Sequence, residues 1–389
     1  MGEIPILYEH LSEQPYQVCR RCVMDTSDRS IRFDETGLCA YCQNFDLSIV
    51  PRWQDMQRDS RLSEVATKIR AQRGGRAYDC IIGVSGGLDS SYTAYLAVRE
   101  MKLRPLLYHV DAGWNTAQAV RNIGCLVDGL GVDLHTDVID WEEMADLQSA
   151  FLHAQVADQD MPQDVAFFSS LYGFAKKENI KYILTGANFS TECIREPEAW
   201  GAYPGIDKRL IKDIHRRFGK RALRTFPIVD ILEYRLLHRY LYGFKIVNPL
   251  NLVPFDKAAA EATLSREFGW SPFQHKHHES RFTRFFEDYW LPRKFGFDKR
   301  RAHFSSLIVT GQMTREKALV RLEKSEMDDL FQENELKYIE KKLGMASGEL
   351  QVLFNTPSAS VRDHKNKHLL IAGAWRLLRF IGLEERLLR

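Results

Sequence analysis

Two groups of residues could do chemistry by their type and spacing. The first is a pair of knuckles, Cys19-x2-Cys22 and Cys39-x2-Cys42, with sixteen residues between them. Two thiolates at i and i+3 on a tight turn can grip one tetrahedral ion together, and two such pairs complete a closed coordination sphere, so the spacing predicts a four-cysteine zinc site. With no position open to water the metal is structural, and its binding free energy, about 10–16 kcal/mol in small zinc modules, replaces the apolar core that so short a segment lacks. A redox-active pair would not need its duplicate. Asp34-Glu35-Thr36-Gly37 reads as the turn that returns the chain to the second knuckle.

The second group is Ser85-Gly86-Gly87-Leu88-Asp89-Ser90-Ser91, which follows the mostly apolar run 78–84 and precedes a helical pattern through Tyr92, Ala94, Leu96, Ala97 and Val98. Two glycines let the backbone turn tightly and come close to an anion, and the unpaired amides at a helix start, with the positive end of its dipole, face the same point. Ser85, Ser90 and Ser91 add hydroxyl donors. Asp89, which would repel a phosphate, is expected to share Mg²⁺ with it. The loop lacks the Gly-Lys-[Ser/Thr] of a Walker A loop and the third glycine of a dinucleotide loop.

Elements that would position these residues recur in alternation. Strands are predicted over 78–84, 105–110, 133–138 and 182–184, with a helix over 165–177 before the last, and this plan runs to about residue 250. Alternating strand and helix gives an α/β class, a doubly wound and mainly parallel sheet whose strand ends line a ligand crevice. Asp111, Gly186 and Asn188 therefore join the candidate site. An amphipathic run through Leu62, Val65, Ala66 and Ile69 predicts one connecting helix, stopped by Gly74-Gly75. The C-terminal part reads as helical: Asp256 caps a helix to Phe268, Thr314 one to Leu322, and Ser325-Glu-Met-Asp328 resembles a capping box before a helix ending at Gly344. The expected organisation is a zinc module over 1–50, a linker helix over 51–75, a nucleotide domain over 76–255 and a helical region over 256–389.

At 389 residues, 44% hydrophobic and 27% charged, the chain has ordinary globular usage, and a net charge of +2 disfavours a protein built to grip nucleic acid through a basic surface. No apolar run approaches the ~20 residues of a membrane helix and the start carries no basic-then-apolar leader, so a cytoplasmic protein is expected. An apolar, arginine-flanked run over 369–383 is expected to pack on its own domain. Lys299, Arg300 and Arg301, beside His303, Ser305 and Ser306, form the densest polar cluster outside the loop and are expected to clamp anionic oxygens, since guanidinium forks suit phosphate. His275, His277 and His278 read as an exposed polar loop. The basic stretch from Lys208 to Arg224 reads as a solvated helix face.

The Ser-Gly-Gly-x-Asp-Ser segment resembles the loop of the PP-loop ATP pyrophosphatases, which adenylylate a carbonyl or carboxylate oxygen and release pyrophosphate. Taken with the two zinc knuckles, Thr185-Gly-Ala-Asn-Phe-Ser-Thr-Glu192 and the segment from Lys294 to Ser306, the chain from about Cys19 to about Leu319 is similar to the N-acetyl sugar amidotransferases of bacterial surface-polysaccharide and nonulosonic-acid biosynthesis. The resemblance implies ATP and Mg²⁺ as cofactors beside structural Zn²⁺. It implies conversion of an acetamido group on a nucleotide-linked sugar into an acetamidino group, and makes Glu192 the candidate base. No glutaminase nucleophile is present: no cysteine stands in Gly-x-Cys-x-Gly, and residue 2 is Gly2. The family resemblance therefore implies a separate glutaminase subunit, with a cyclase-like barrel subunit to conduct ammonia, and leaves a homo-oligomer open. The rivals are a tRNA thiolase, which would need further catalytic cysteines where only Cys80, Cys125 and Cys193 remain, and a non-enzymatic zinc-ribbon scaffold.

Overall fold

The computed structural model describes residues 15–201, 206–230, 242–327, 329–371 and 373. Most of the 369–383 run and Asp328 of the expected capping box lie outside them. Five strands form one parallel sheet in the order β3-β2-β1-β4-β5: β1 (Cys80–Gly83), β2 (Pro105–Asp111), β3 (Leu134–Val138), β4 (Tyr182–Leu184) and β5 (Lys245–Val247). β1 pairs with β2 on one side and β4 on the other, Ile82 standing opposite both Leu107 and Leu184. The expected strands are all present, and the doubly wound parallel class is the one observed.

Strand alternation divides the core. Ile81, Leu106, Tyr108, Val110 and Ile183 face one layer, while Cys80, Ile82, Val84, Leu107, Tyr182 and Leu184 face the other. Being apolar on both faces, the central strands need a helical layer on each side. The second layer is built by α1 (Arg61–Ala71), α2 (Leu88–Tyr95) and α3 (Ala117–Leu130). The first is built by α4 (Trp141–Ala154), α5 (Met161–Lys177) and, beyond the single turn α6 (Phe189–Glu192), α7 (Lys208–Phe218). α8 (Lys257–Phe268) returns to the second layer through Leu264.

The expected linker helix is α1 itself; a further helical run over 40–56 precedes it, and a turn with Ser60 at φ 71 separates the two. Asp256 does cap α8, accepting from Ala259 N, and Thr314 caps the helix Arg315–Leu322. The C-terminal region does not stand apart. Helix α9 (Arg300–Val309) lies against the zinc module and α6, and α10 (Asp329–Leu343) packs on α4. Among the described residues no helix is long and apolar enough to cross a membrane.

Candidate active site and metal centre

Cys19, Cys22, Cys39 and Cys42 are buried and bring their sulfurs within 4.8 Å of one another. The Cys19–Cys42 and Cys22–Cys39 Sγ separations are 3.9 and 3.6 Å. Four sulfurs about 2.3 Å from one tetrahedral ion would stand about 3.8 Å apart, so the cluster fits zinc. Backbone amides of Arg21, Met24 and Cys39 point at the sulfurs at 3.3–3.4 Å, which stabilises thiolate charge. Gly37 closes the turn between the knuckles as expected, its amide donating to Asp34 O at 2.9 Å.

The module is bolted to the C-terminal helices by guanidinium groups. Arg315 donates to the carbonyls of Cys19 and Cys22 at 2.9–3.1 Å. Arg301 is buried, donates to Val23 O at 2.8 Å and pairs with fully buried Asp25 at 3.0 Å. Arg300 is spent on Asp298 and Glu326 and on carbonyls of the helix Arg315–Leu322. The expected phosphate clamp is thus corrected for both arginines: their forks match oxygens as anticipated, but oxygens of the protein itself.

The phosphate loop occupies the reversal of strand order, where β1 and β4 diverge and a crevice must open. Gly86 takes φ +82, a left-handed turn that a side chain could not share, because a Cβ would sit 2.5 Å from Ala119 O. Its own carbonyl is pinned by Asn122 Nδ2 and Trp270 Nε1, each at 3.1 Å. Across the crevice a Cβ on Gly186 would lie 2.8 Å from the Asp89 carbonyl carbon, so only glycine lets β4 end so near the loop. Ser85, Gly87, Asp89, Ser90, Gly186, Thr191 and Glu192 line the resulting cleft. Ser91 does not: its fully buried hydroxyl faces the interior. Asp111 braces the turn after β2, accepting from Gly113 N and Asn115 Nδ2, and Asn188 caps α6 by accepting from Thr191 N. Those two position the crevice walls and are not among the residues that line it.

Opposite the loop stands a wall that sequence reasoning took for an exposed polar loop. His275, Lys276, His277 and Glu279 line the cleft, with Lys257, Glu261, Trp270, Phe273 and His303. Lys276 donates to Glu192, and Ser85 Oγ donates to Glu279 at 3.2 Å. His278 turns away to buried Asp288 at 2.9 Å. The missed signal was composition: a His-Lys-His-His-Glu run between Trp270-Ser-Pro-Phe273 and the aromatic Phe282–Phe286 is flanked by residues that must be buried.

Burial pushes the Asp89 carboxyl up to about 7, with Glu192 and Glu279 raising it further against Lys276. Burial would raise Glu192 too, but the Lys276 ammonium outweighs it and holds that carboxyl below its usual range. Beyond Lys276 a second charged group continues outward. His277 meets Glu287 at 3.0 Å, and Lys299 bridges Glu287 at 3.2 Å and Glu196 at 3.1 Å. Glu287 overcomes the His277 desolvation penalty and raises that imidazole to about 9. Near Lys299, burial raises Asp158 and Asp160 to about 6. Lys299 therefore belongs to the outer part of this polar wall, apart from the phosphate loop.

A strand, an S-G-G-x-D-S loop and a helix at the switch point of a parallel sheet define the PP-loop class. Residues 279–381 match the family model of the LPS biosynthesis protein WbpG-like, C-terminal domain, in agreement with the surface-polysaccharide part of the resemblance. No curated protein matches the chain. Similar solved structures include the NH3-dependent NAD synthetase from Campylobacter jejuni subsp. jejuni NCTC 11168 in complex with the nitrate ion, 14% identical over 79% of this chain and 98% of that one, at TM-score 0.31. NMN synthetase from Francisella tularensis is 13% identical over 77% and 97%, also at 0.31. At that score these likenesses add nothing to a fold that the strand order and register define.

Two outcomes are expected. Protein purified without added zinc should carry one zinc per chain, and Cys39→Ser should lose the metal and unfold at lower temperature, because Arg301 and Arg315 then have no fixed knuckle to hold; a variant that stays folded and metal-replete would sink the structural role. A carboxyl raised to about 7 must give up its proton before binding Mg²⁺. Calorimetric affinity for Mg·ATP should therefore fall between about pH 8 and about pH 6, approaching about tenfold per unit below the midpoint, and Asp89→Asn should be weak and flat across that range. Equal wild-type affinity at both ends would contradict this.

Proposed function

We propose that this protein is an ATP-dependent amidotransferase of LPS O-antigen or related glycan biosynthesis. It adenylylates the acetamido oxygen of an N-acetylated, nucleotide-linked sugar and replaces it with ammonia, giving an acetamidino sugar, AMP and pyrophosphate. The observation that carries this reading is a juxtaposition: Glu279 and His303, from the segment matching the LPS family, face Ser85–Ser90 of the phosphate loop across one cleft.

The chemistry follows from the electrophile. An amide carbon resists attack and hydroxide leaves poorly, so the amide oxygen first takes the α-phosphoryl group of ATP, and ammonia then displaces AMP. Loop amides at the start of α2 bind the phosphates, and Lys276, held protonated by Glu192 and Asp89 despite its burial, offsets charge on departing pyrophosphate. Asp89 would hold Mg²⁺, which would supply further charge neutralisation. The polar wall from His277 to Asp160 offers acceptors and donors for sugar hydroxyl and amide groups, and His277 and Lys299 keep it from being uniformly anionic.

A thiolase reading finds little support in the cysteines. Cys80 is buried in β1 with its thiol pushed above the usual range, and Cys193, raised to about 11, points to Ser306 O. Cys125 lies on α3, and none of the three is among the residues lining the cleft.

Ammonia comes from a separate glutaminase subunit in this reading, conducted through a cyclase-like subunit. The isolated chain should accordingly make amidine and AMP from a diacetamido nucleotide-sugar with ammonium salts, and be inert with glutamine. Glutamine hydrolysis by the purified chain alone, or ADP as the nucleotide product, would refute the proposal.

A further inference from the structure

His303 is held with unusual definition for a cleft-lining side chain. It projects from α9, which is fixed on one side by Arg301 to the zinc knuckle and on the other to α6: Ile194 N donates to Ser306 Oγ at 2.9 Å and Thr310 Oγ1 donates to Ser190 O at 2.8 Å. The ring makes its own tie to α6, Nδ1 lying 3.3 Å from Thr191 O. A carbonyl oxygen can only accept, so the neutral ring carries its hydrogen on Nδ1 and leaves a lone pair on Nε2. Among the described residues Nε2 has no hydrogen-bond partner, while the side chain lines the cleft shared by the phosphate loop and Lys276.

The other groups facing that space are committed elsewhere: Glu261 pairs with Lys257 at 3.8 Å, and His275 is engaged by Arg321 and Glu326. Glu192 accepts from Lys276, Glu279 accepts from Ser85, and Asp89 is the metal-side carboxylate. Lys276 and Lys257 are cations, and His277 is held protonated by Glu287. His303 is thus the free acceptor best placed for a proton.

Resting on the amidotransferase reading, we propose that His303 is the catalytic base of the amidation step, its Nε2 taking the proton from the attacking nitrogen. In that step the ammonia lone pair forms the C–N bond at the imidate carbon. One proton of the resulting ammonium passes to Nε2, and the C–O bond to AMP breaks with its electron pair leaving on the phosphate oxygen. Burial, and then Lys276, Lys257 and His277, hold the empty ring well below its ordinary value. Phosphate bound in the cleft offsets those cations, so basicity rises when AMP is there to be displaced. Glu192, the base expected from the sequence, becomes the group that holds Lys276.

The test separates the two halves of the reaction. His303→Asn keeps a donor for Thr191 O and replaces the basic Nε2 with a non-basic amide. With a panel of nucleotide-linked diacetamido sugars as probe, sugar-dependent ATP–pyrophosphate exchange should stay within about twofold of wild type. Amidine formation from ammonium should fall at least about 100-fold, imidazole should restore part of it, and the acid limb of the wild-type pH profile for amidine formation should change. Amidine formation within about fivefold of wild type, or a loss of exchange as deep as the loss of amidine, would overturn the base role. Wild-type protein without sugar-dependent exchange would overturn the amidotransferase reading and this role with it; the first two failures leave that reading standing.

Discussion

The site depends on where the central strand stops. β1 is paired on both edges, to β2 and to β4, and the chain leaves it at the point where the strand order turns back. Neighbouring connections must then go to opposite faces of the sheet, and a crevice opens that no side chain of the core can fill. The amides of α2 are left facing this gap, and the Gly186 backbone approaches Asp89 more closely than any Cβ would permit. Loop, Asp89 carboxylate and cleft follow from that geometry.

What the sheet leaves open, the C-terminal half closes. The wall carrying Lys276, His277 and Glu279 belongs to a connection between α8 and the aromatic helix after it, and α9 supplies His303 from the far side. Because α9 is also the surface on which the zinc module docks, the metal and the cleft share one supporting helix. Val23 N donates to Ser305 Oγ at 3.1 Å on the same helix whose Ser306 accepts from Ile194 N. The four-cysteine cluster thereby bears on the position of groups that line the cleft. The buried Arg301–Asp25 pair in this interface would be costly to break singly, since either partner alone leaves a charge without a counterpart.

Much of this was legible in the chain, and the pattern of what was not has a physical cause. The knuckles and the phosphate loop are local: their chemistry is written within a few residues, and each adopts the geometry its spacing requires. The central strands β1, β2 and β4 were readable because both faces are buried, which makes them nearly continuous apolar runs, whereas the exposed edge strand β5 gave no such signal. Arg300 and Arg301 were misplaced because a guanidinium fork announces that it will meet oxygens, but not whose. Asp298 stands two residues from Arg300, but the other partners, Glu326, Val23 and Asp25, are fixed only by tertiary packing. Lys276 was overlooked for the same reason in reverse: a charged, histidine-rich run has the composition of a solvated loop, and only its packing against β4's turn and α6 makes it part of a cleft.

The central claim is that the acetamido oxygen itself is activated by transfer of adenylate. The most direct measurement is to label that oxygen with a heavy isotope, run the reaction with ATP and ammonium, and locate the label by mass spectrometry. The account predicts that it leaves in the phosphate group of AMP. Label in water or in pyrophosphate, or retained on the sugar while ATP is consumed, would contradict it.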